Sequence, residues 1–454
     1  MTDLLSTAKT RSGSAAFLRM ALVLLAAGMI FGLLGAFQYI QAGFLKEYLS
    51  FERVRPLHVS SVVFWIIMAA CGSVLYYLQE FTGKSLYSGI LLRLQYFLFS
   101  FSIIAILISY VFGIFRGREY WEFHPALAIP VATAWILFLI NVFKSLPSFR
   151  NLPVYVWMWL TGVSFFLFTF LESYLWLIPY FRQNIINDMT IQWKSYGSMV
   201  GSWNMLVYGC SIYLLDKISG NKEYGVSKTG FAIYFLGLFN LMFNWGHHIY
   251  TLPTANYIKY ISYIVSMTEL ILLFRMIWQW RASLDTARKH FYRLPYRLLI
   301  AADVWVLLTL MLSIAMSIPA INIYTHGTHV TVGHTMGATI GINSFLLFAF
   351  LFDILGKKIA ESPVALRWFS LAYWSANISL FVFWITLIGA GVQKAVWQMS
   401  LQSSAFSTMM AGLRPYFIVF FISGLGIFAA LLIWIVLLFK HGKIRREAIE
   451  GQFR

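Results

Sequence analysis

The sequence predicts an all-α protein of about twelve membrane-spanning helices. Of its 454 residues, 60% are hydrophobic and only 11% are charged, whereas a soluble domain carries roughly a quarter charged residues. Apolar windows of about twenty residues, the length that crosses a bilayer, recur along the whole chain. Short loops that carry most of the Lys and Arg residues separate these windows, as is typical of polytopic membrane proteins.

No soluble domain or repeat interrupts the series of apolar windows. Residues 1–454 are therefore predicted to form a single transmembrane domain in a lipid bilayer. We place the spans at 17–40, 57–79, 93–115, 126–145, 153–178, 192–215, 229–250, 257–280, 297–320, 327–354, 367–392 and 414–440.

The net charge of +17 does not indicate a nucleic-acid partner, because the basic residues are spread over loops instead of forming one patch. The loops on the side of both termini hold 24 of the 34 Lys and Arg residues. The positive-inside rule then places both termini in the cytoplasm. The two cysteines form no CxxCH motif, so no covalently attached haem is expected.

Histidines from three distant segments are predicted to meet at one membrane depth, near the outer face. Buried polar groups are costly in a bilayer and usually functional. Imidazole is the commonest ligand for haem iron and for non-haem iron or copper. The pattern therefore predicts a haem and metal site nearer the periplasmic side, built from His58, His247, His248, His326, His329 and His334.

Spacing refines this prediction. His334 and Met336 are two residues apart, so on a helix they point about 200° apart and one helix can serve two haems. His247 and His248 are neighbours that can both reach one metal. Glu269 lies in the middle of a predicted span, where an unpaired carboxylate is expensive, so it is expected to be a ligand or a proton carrier.

Five short motifs are spread along the chain. They are 54–58 (VRPLH), 117–120 (GREY), 246–248 (GHH), 324–328 (YTHGT) with His334 six residues further on, and 413–414 (LR). These motifs resemble those of the large subunit of cytochrome c-dependent nitric oxide reductase, within the haem–copper oxidase superfamily. The resemblance covers nearly the whole chain and implies the subunit I-like helical bundle of that superfamily.

The resemblance implies roles for individual residues. Two haems, expected to be b-type, and one non-haem iron, with copper as the alternative, are implied together with a calcium ion. By position, the low-spin haem would be bound by His58, the high-spin haem by His334 and the non-haem metal by His247 and His248. Glu269 would lie in the catalytic cavity, Glu119 near the calcium and Arg55 near the haem propionates. Independently of the resemblance, His326 and His329 lie one turn above His334 and are expected to hydrogen-bond the propionates or to outline the pocket.

The resemblance also implies a reaction and a partner. Two NO molecules, two electrons and two protons would give N2O and water, in the plasma membrane of a bacterium. Electrons would arrive from a membrane-anchored cytochrome c subunit, since this chain has no c-type haem motif of its own.

Four positions depart from the family pattern. Met336 stands where the family has the second histidine of the low-spin haem; it is either a thioether ligand, which would raise the haem potential, or a packing residue. Tyr196 stands in the place of the third metal histidine, as a ligand, a proton donor or a packing residue. Val200 and Asn204 replace two glutamates, so one face of the predicted sixth span is remodelled.

Because this face of the predicted sixth span departs from the family pattern, the sequence leaves three possible functions. The first is reduction of NO at an unusual metal site, with Glu269 or Tyr196 completing the ligands. The second is another gas reaction on the same scaffold, either O2 reduction or NO dismutation. The third is a haem protein that binds or senses NO without catalysis, which would need no second metal.

Overall fold

The structure is a computed structural model. It describes residues 2–265, 269–400 and 404–444, and the described side chains exclude those of residues 2–5, 269 and 270. Helices account for most of these ranges and no strand occurs in them. The predicted all-α fold is confirmed.

The α-helices are numbered here in chain order. They are α1 (Thr2–Ile40), α2 (Phe51–Thr82), α3 (Gly89–Val111), α4 (Ala128–Ser145), α5 (Val154–Glu172), α6 (Pro179–Arg182), α7 (Ile185–Ser219), α8 (Lys228–Phe243), α9 (Asn256–Val265), α10 (Glu269–Ser283), α11 (Thr286–Phe291), α12 (Arg293–Ser317), α13 (Pro319–Thr325), α14 (His329–Met336), α15 (Phe345–Leu355), α16 (Lys357–Glu361), α17 (Pro363–Met399) and α18 (Phe406–His441).

Two segments of the described chain depart from α-helical geometry inside predicted spans. Asn244–Ile249 is a 3-10 helix that continues α8. Gly337–Ser344 is π-helical and joins α14 directly to α15, so these three pieces form one helical rod.

Nine helical stretches of the described residues are long and apolar enough to cross a membrane. The predicted spans 192–215, 229–250 and 257–280 fall outside this group. They correspond to α7, which has 35 residues but many polar side chains, to α8 with 16 residues, and to α9 and α10 with 10 and 15 residues.

Two helices extend beyond the membrane spans predicted within them. α1 begins at residue 2, before the predicted span 17–40, and polar residues of its first turns pack on α2: the Thr10 hydroxyl donates to Gln79 Oε1 at 2.6 Å. α18 begins at Phe406, before the predicted span 414–440, with Pro415 inside the helix.

The central elements of the bundle are α2 and the α14–α15 rod. In the most apolar window of each, 83% of the residues are buried inside the protein, against 33% in α3. α1 packs along α2, α5 along α7 and α17 along α18. The central rods therefore carry the residues that are shielded from lipid, and the outer helices present apolar side chains outward.

A buried ion cluster joins the C-terminal ends of α2, α7 and α15. The Lys217 Nζ atom lies 2.8 Å from Glu80 Oε2 and 2.6 Å from Asp353 Oδ2. The Tyr77 hydroxyl also donates to Asp353, at 3.2 Å, and the Tyr213 hydroxyl to Glu80, at 3.3 Å. The Lys217 cation thus balances carboxylates from two other helices.

We expect Lys217→Met to lower the free energy of unfolding by roughly 3–5 kcal/mol, because it leaves two carboxylates without a counter-charge. Thermal unfolding of the purified protein in detergent measures this loss. Lys84→Met, at an exposed position, is the control and should leave the midpoint unchanged.

Adding Glu80→Gln and Asp353→Asn to Lys217→Met should recover part of the lost stability, because no charge is then left uncompensated. Equal unfolding midpoints for the wild type and Lys217→Met would contradict the role of the cluster.

Candidate functional site

A cavity of about 320 Å³ lies among α2, α7, the 3-10 helix and α14. This volume lies within the roughly 300–1,000 Å³ of most small-molecule sites. Apolar side chains form much of its wall. The residues predicted from the sequence that line it are His58, Tyr196, His247, His248, His326, His334 and Met336.

His58 is held by a backbone carbonyl of α1. Its Nδ1 lies 2.7 Å from the carbonyl oxygen of Gly28. A carbonyl only accepts, so Nδ1 carries the proton and Nε2 keeps its lone pair. The ring also sits against Gly32, where any Cβ would lie 2.8 Å from two ring atoms. Glycine at this position is therefore required for the close approach of α1 to His58.

The His247–His248 pair lies on the 3-10 helix, and not on the α-helix predicted to reach 250. The physical reason is the close approach of α9 at Gly246, where a Cβ would come within 2.0 Å of Ser262 Oγ. The Ser262 hydroxyl donates to the carbonyl of Phe243, the last residue of α8, at 2.8 Å. α9 thus binds the backbone where the α-helix ends.

The two neighbouring histidine rings face each other. Their centroids are 4.1 Å apart and their planes are inclined by 40°. The Nδ1 of His247 donates to Asn244 Oδ1 at 2.9 Å, which leaves its Nε2 with a lone pair. The buried Nδ1 of His248 has no hydrogen-bond partner among the described residues.

Trp193 of α7 stacks on His248, with ring centroids 4.5 Å apart and planes within 10° of parallel. The sequence did not single out this residue, because a tryptophan at the end of a span is usually an interfacial anchor. Here it instead covers one face of a predicted metal ligand.

Tyr196 is buried on the cavity wall, and its ring packs edge-on against Tyr120 at 5.5 Å. Val200 and Asn204 line the same cavity. The face of α7 that carries Tyr196, Val200 and Asn204 is therefore turned toward it. The Oδ1 of Asn204 is buried there without a hydrogen-bond partner among the described residues. All three residues therefore lie on the cavity wall, as the sequence predicts. The Tyr196 ring itself points toward the loop that follows α3.

That loop pairs with Arg55 at the start of α2. The Arg55 guanidinium forms ion pairs with Glu119 and, at 3.1 Å, with Glu122. Burial raises the pKa of the Glu122 carboxyl above its ordinary value, and the nearby Arg55 charge opposes this rise. Sequence reasoning missed Glu122, although it lies only three residues after Glu119 in the same loop.

The loop is also held from its other side. Arg118 forms an ion pair with Asp188 of α7 at 2.6 Å. Tyr120 has a positive φ of 70°, which is uncommon for a residue with a side chain and costs energy. This conformation is stabilised by the contacts on both sides of the turn, and it places the Tyr120 ring against Tyr196.

His334 and Met336 both line the cavity, near the end of α14. The buried Nδ1 of His334 has no partner among the described residues. The π-helical segment starts at the next residue, Gly337. Such segments occur frequently at functional sites.

Among the predicted site residues whose side chains are described, three do not line this cavity: Arg55, Glu119 and His329. Arg55 and Glu119 form the ion pairs described above, beside it. The backbone of Glu269 begins α10, while its side chain and residues 266–268 lie outside the described residues. Its predicted role therefore stays a prediction.

Comparison with known proteins gives relatives at low identity. A nitric oxide reductase subunit of Stutzerimonas stutzeri is 22% identical over 93% of both chains. Cytochrome c oxidase subunit 1 of Rhodobacter capsulatus is 23% identical over 85% of this chain and 76% of its own. The solved structure of a haem–copper terminal oxidase dimer matches 97% of this chain and 85% of its own, with a TM-score of 0.72 and 14% identity.

The profile of one family, cytochrome c and quinol oxidase polypeptide I, matches residues 14–437. Members of this family are membrane oxidoreductases that bind haems and a copper or non-haem iron centre. The chain therefore belongs to the cytochrome c and quinol oxidase polypeptide I family, with the fold of haem–copper oxidase subunit I.

Proposed function

We propose that the chain is the catalytic subunit of a nitric oxide reductase-like enzyme. A low-spin haem would pass electrons to a high-spin haem and a non-haem metal, where NO is reduced to N2O. The observation that carries the proposal is the shared cavity that unites His58, Met336, His334 and the His247–His248 pair.

The cavity fits a low-spin haem. His58 presents a lone pair at Nε2, because its Nδ1 is bonded to Gly28. Hydrogen bonding of the second nitrogen is the usual way in which a ligating imidazole is oriented. Met336 supplies a thioether on the same cavity wall, and histidine–methionine ligation is a known haem arrangement with a raised potential.

The cavity also fits a high-spin haem and a second metal. His334 would bind that haem, because its ring lines the same cavity and its buried Nδ1 has no competing hydrogen-bond partner among the described residues. His247 and His248 would hold the non-haem metal, iron or copper, with Glu269 or Tyr196 as the further ligand that the sequence predicts. When bound, these groups supply the redox chemistry that joins two NO molecules with two electrons and two protons to give N2O and water.

The side chains of this chain would shape the rest of the reaction. The valines of α2 that line the cavity, among them Val59, Val62 and Val63, exclude water from it. Asn204 offers an amide to a small polar molecule. Glu269 would carry protons, and it is the cavity carboxylate that the sequence predicts.

The remaining expectations concern the surroundings of the enzyme. A membrane-anchored cytochrome c subunit would donate electrons, because this chain has no motif for a covalently bound haem. Both termini would lie in the cytoplasm of a bacterium and the cavity nearer the periplasm. Glu119, with Glu122 beside it, would face the calcium ion expected near the haem propionates.

Reduction of O2 is the second candidate function. Tyr196 lies on the cavity wall, and a tyrosine can give one electron and one proton to an O2-derived species. NO is favoured because the nitric oxide reductase relative matches a larger share of both chains than the oxidase relative does.

We expect the purified protein, with its co-purified donor and a chemical reductant, to consume NO and release N2O. An NO electrode and gas chromatography measure this, and an O2 electrode provides the comparison. Consumption of O2 alone would favour the second candidate, and inertness to both gases with intact haem spectra would indicate a sensor.

We expect Met336→His to lower the reduction potential of the low-spin haem, because histidine–histidine ligation favours the ferric state relative to histidine–methionine. Met336→Leu should convert this haem to a five-coordinate, high-spin form. Optical redox titration measures both effects.

The matched control for these variants is Met311→Leu, at an exposed position on α12. It removes a thioether that does not line the cavity, so it should leave the potential of the low-spin haem unchanged. An unaltered haem spectrum and potential in Met336→Leu would show that Met336 is a packing residue.

A further inference from the structure

His326 lies beside the His247–His248 pair. It follows the last residue of α13, with an extended backbone, and precedes the start of α14. Its ring centroid is 5.9 Å from that of His248, at an interplanar angle of 66°. It is also 6.2 Å from the ring of Trp193. His326 is therefore a direct neighbour of the predicted metal ligands.

These distances suit imidazoles on one metal. With metal–nitrogen bonds of about 2.1 Å, the centroids of two ligating rings lie roughly 4–6 Å apart, depending on the angle at the metal. The separation between His247 and His248 is 4.1 Å, and that between His248 and His326 is 5.9 Å. Both separations fall in this range.

The lone pairs in this cluster are available for a ligand. The Nδ1 of His247 is bonded to Asn244, which leaves Nε2 for a metal. The Nδ1 of His248 is buried and has no partner among the described residues. A buried ring nitrogen without a hydrogen-bond partner destabilises the fold, and a bound ligand would remove this cost. The cluster thus has the character of a ligand site.

α7 does not complete the cluster in this structure. The α7 side chain that stacks on His248 is Trp193. Its indole nitrogen can only donate a hydrogen bond and cannot bind a metal. The Tyr196 ring packs against Tyr120. In the part of the chain that the structure describes, no three His, Cys, Asp or Glu side chains converge on one point. A third ligand from the described residues would therefore need a change of side-chain conformation.

We propose that His326 is the third histidine of the non-haem metal centre and takes the place that Tyr196 occupies in sequence. The inference rests on the proposed function, since it concerns the metal of that site. Binding would need a rotation of the His326 side chain, which lies at the non-helical junction between α13 and α14. This differs from the propionate role that the sequence predicts for His326, and it makes His326 the further metal ligand in place of Glu269 or Tyr196.

The chain offers a matched control three residues away. His329 is also a partly buried histidine, and its Nδ1 likewise has no partner among the described residues. Its ring, however, packs against Tyr39 at 6.0 Å and Phe417 at 5.3 Å. A general effect of removing a histidine from this region would appear equally in the His326→Ala and His329→Ala variants.

The test is the metal content of His326→Ala, His329→Ala and Tyr196→Phe, compared with the wild type. Total iron and copper are measured by mass spectrometry and divided by the haem content. We expect His326→Ala to lose the non-haem metal while it keeps both haem spectra, and the other two variants to retain it. Titration with ferrous iron should give an affinity weakened in His326→Ala by more than the roughly 10–100-fold that the loss of an outer-sphere partner costs, and added imidazole should restore binding to His326→Gly.

A second measurement does not depend on any variant. The wild type is loaded with Zn²⁺, and X-ray absorption at the zinc edge counts the imidazole ligands without a contribution from haem iron. Three imidazoles support the inference, and two overturn it. Retention of the metal in His326→Ala together with its loss in His248→Ala would also overturn it.

Failure of the proposed function has a different signature. If the wild type holds a metal with three imidazoles but consumes no NO, the metal site stands and the reductase proposal fails. If the wild type turns over NO while zinc shows two imidazoles, the reductase proposal stands and the role of His326 fails.

Discussion

The ion cluster around Lys217 constrains the helices on which the site depends. It joins α2, α7 and α15 at their C-terminal ends, while the cavity lies toward the other ends of the same rods. In a low-dielectric interior, separating these charges is expensive. The relative positions of the three helices are therefore held at one end, and the width of the cavity follows from them.

Departures from α-helical geometry lie in or directly after the two segments that bring histidines to the cavity. His247 and His248 lie on a 3-10 helix, where α9 contacts the backbone at Gly246. His334 lies on the α-helix α14, and the π-helical segment follows Met336 on the α14–α15 rod. Helices with a different number of residues per turn change the direction of each side chain relative to its neighbours. The directions of the His247 and His248 rings thus depend on a local distortion as well as on helix positions.

The face of α7 that lines the cavity carries aromatic side chains, among them Trp193 and Tyr196. Trp193 stacks on His248, and Tyr196 meets the loop that is held by Arg55 and Arg118. An aromatic wall on this side leaves fewer lone pairs for a metal than a histidine would supply. The scaffold is nevertheless that of the family, since the fold matches over 97% of the chain at only 14% identity. Helix packing tolerates extensive substitution when apolar patterning is kept.

The sequence by itself determined the all-α membrane fold and the residues that share the cavity, because apolar windows and buried histidines leave a strong signal in composition and spacing. It also predicted that Tyr196, Val200 and Asn204 share one face of a helix, and all three line the cavity. Only the tertiary structure decided that Trp193 lies on His248 and that His326 lies beside it. These contacts join segments far apart in the chain, and their ring orientations depend on packing against α9 and the loop after α3, which no local pattern encodes.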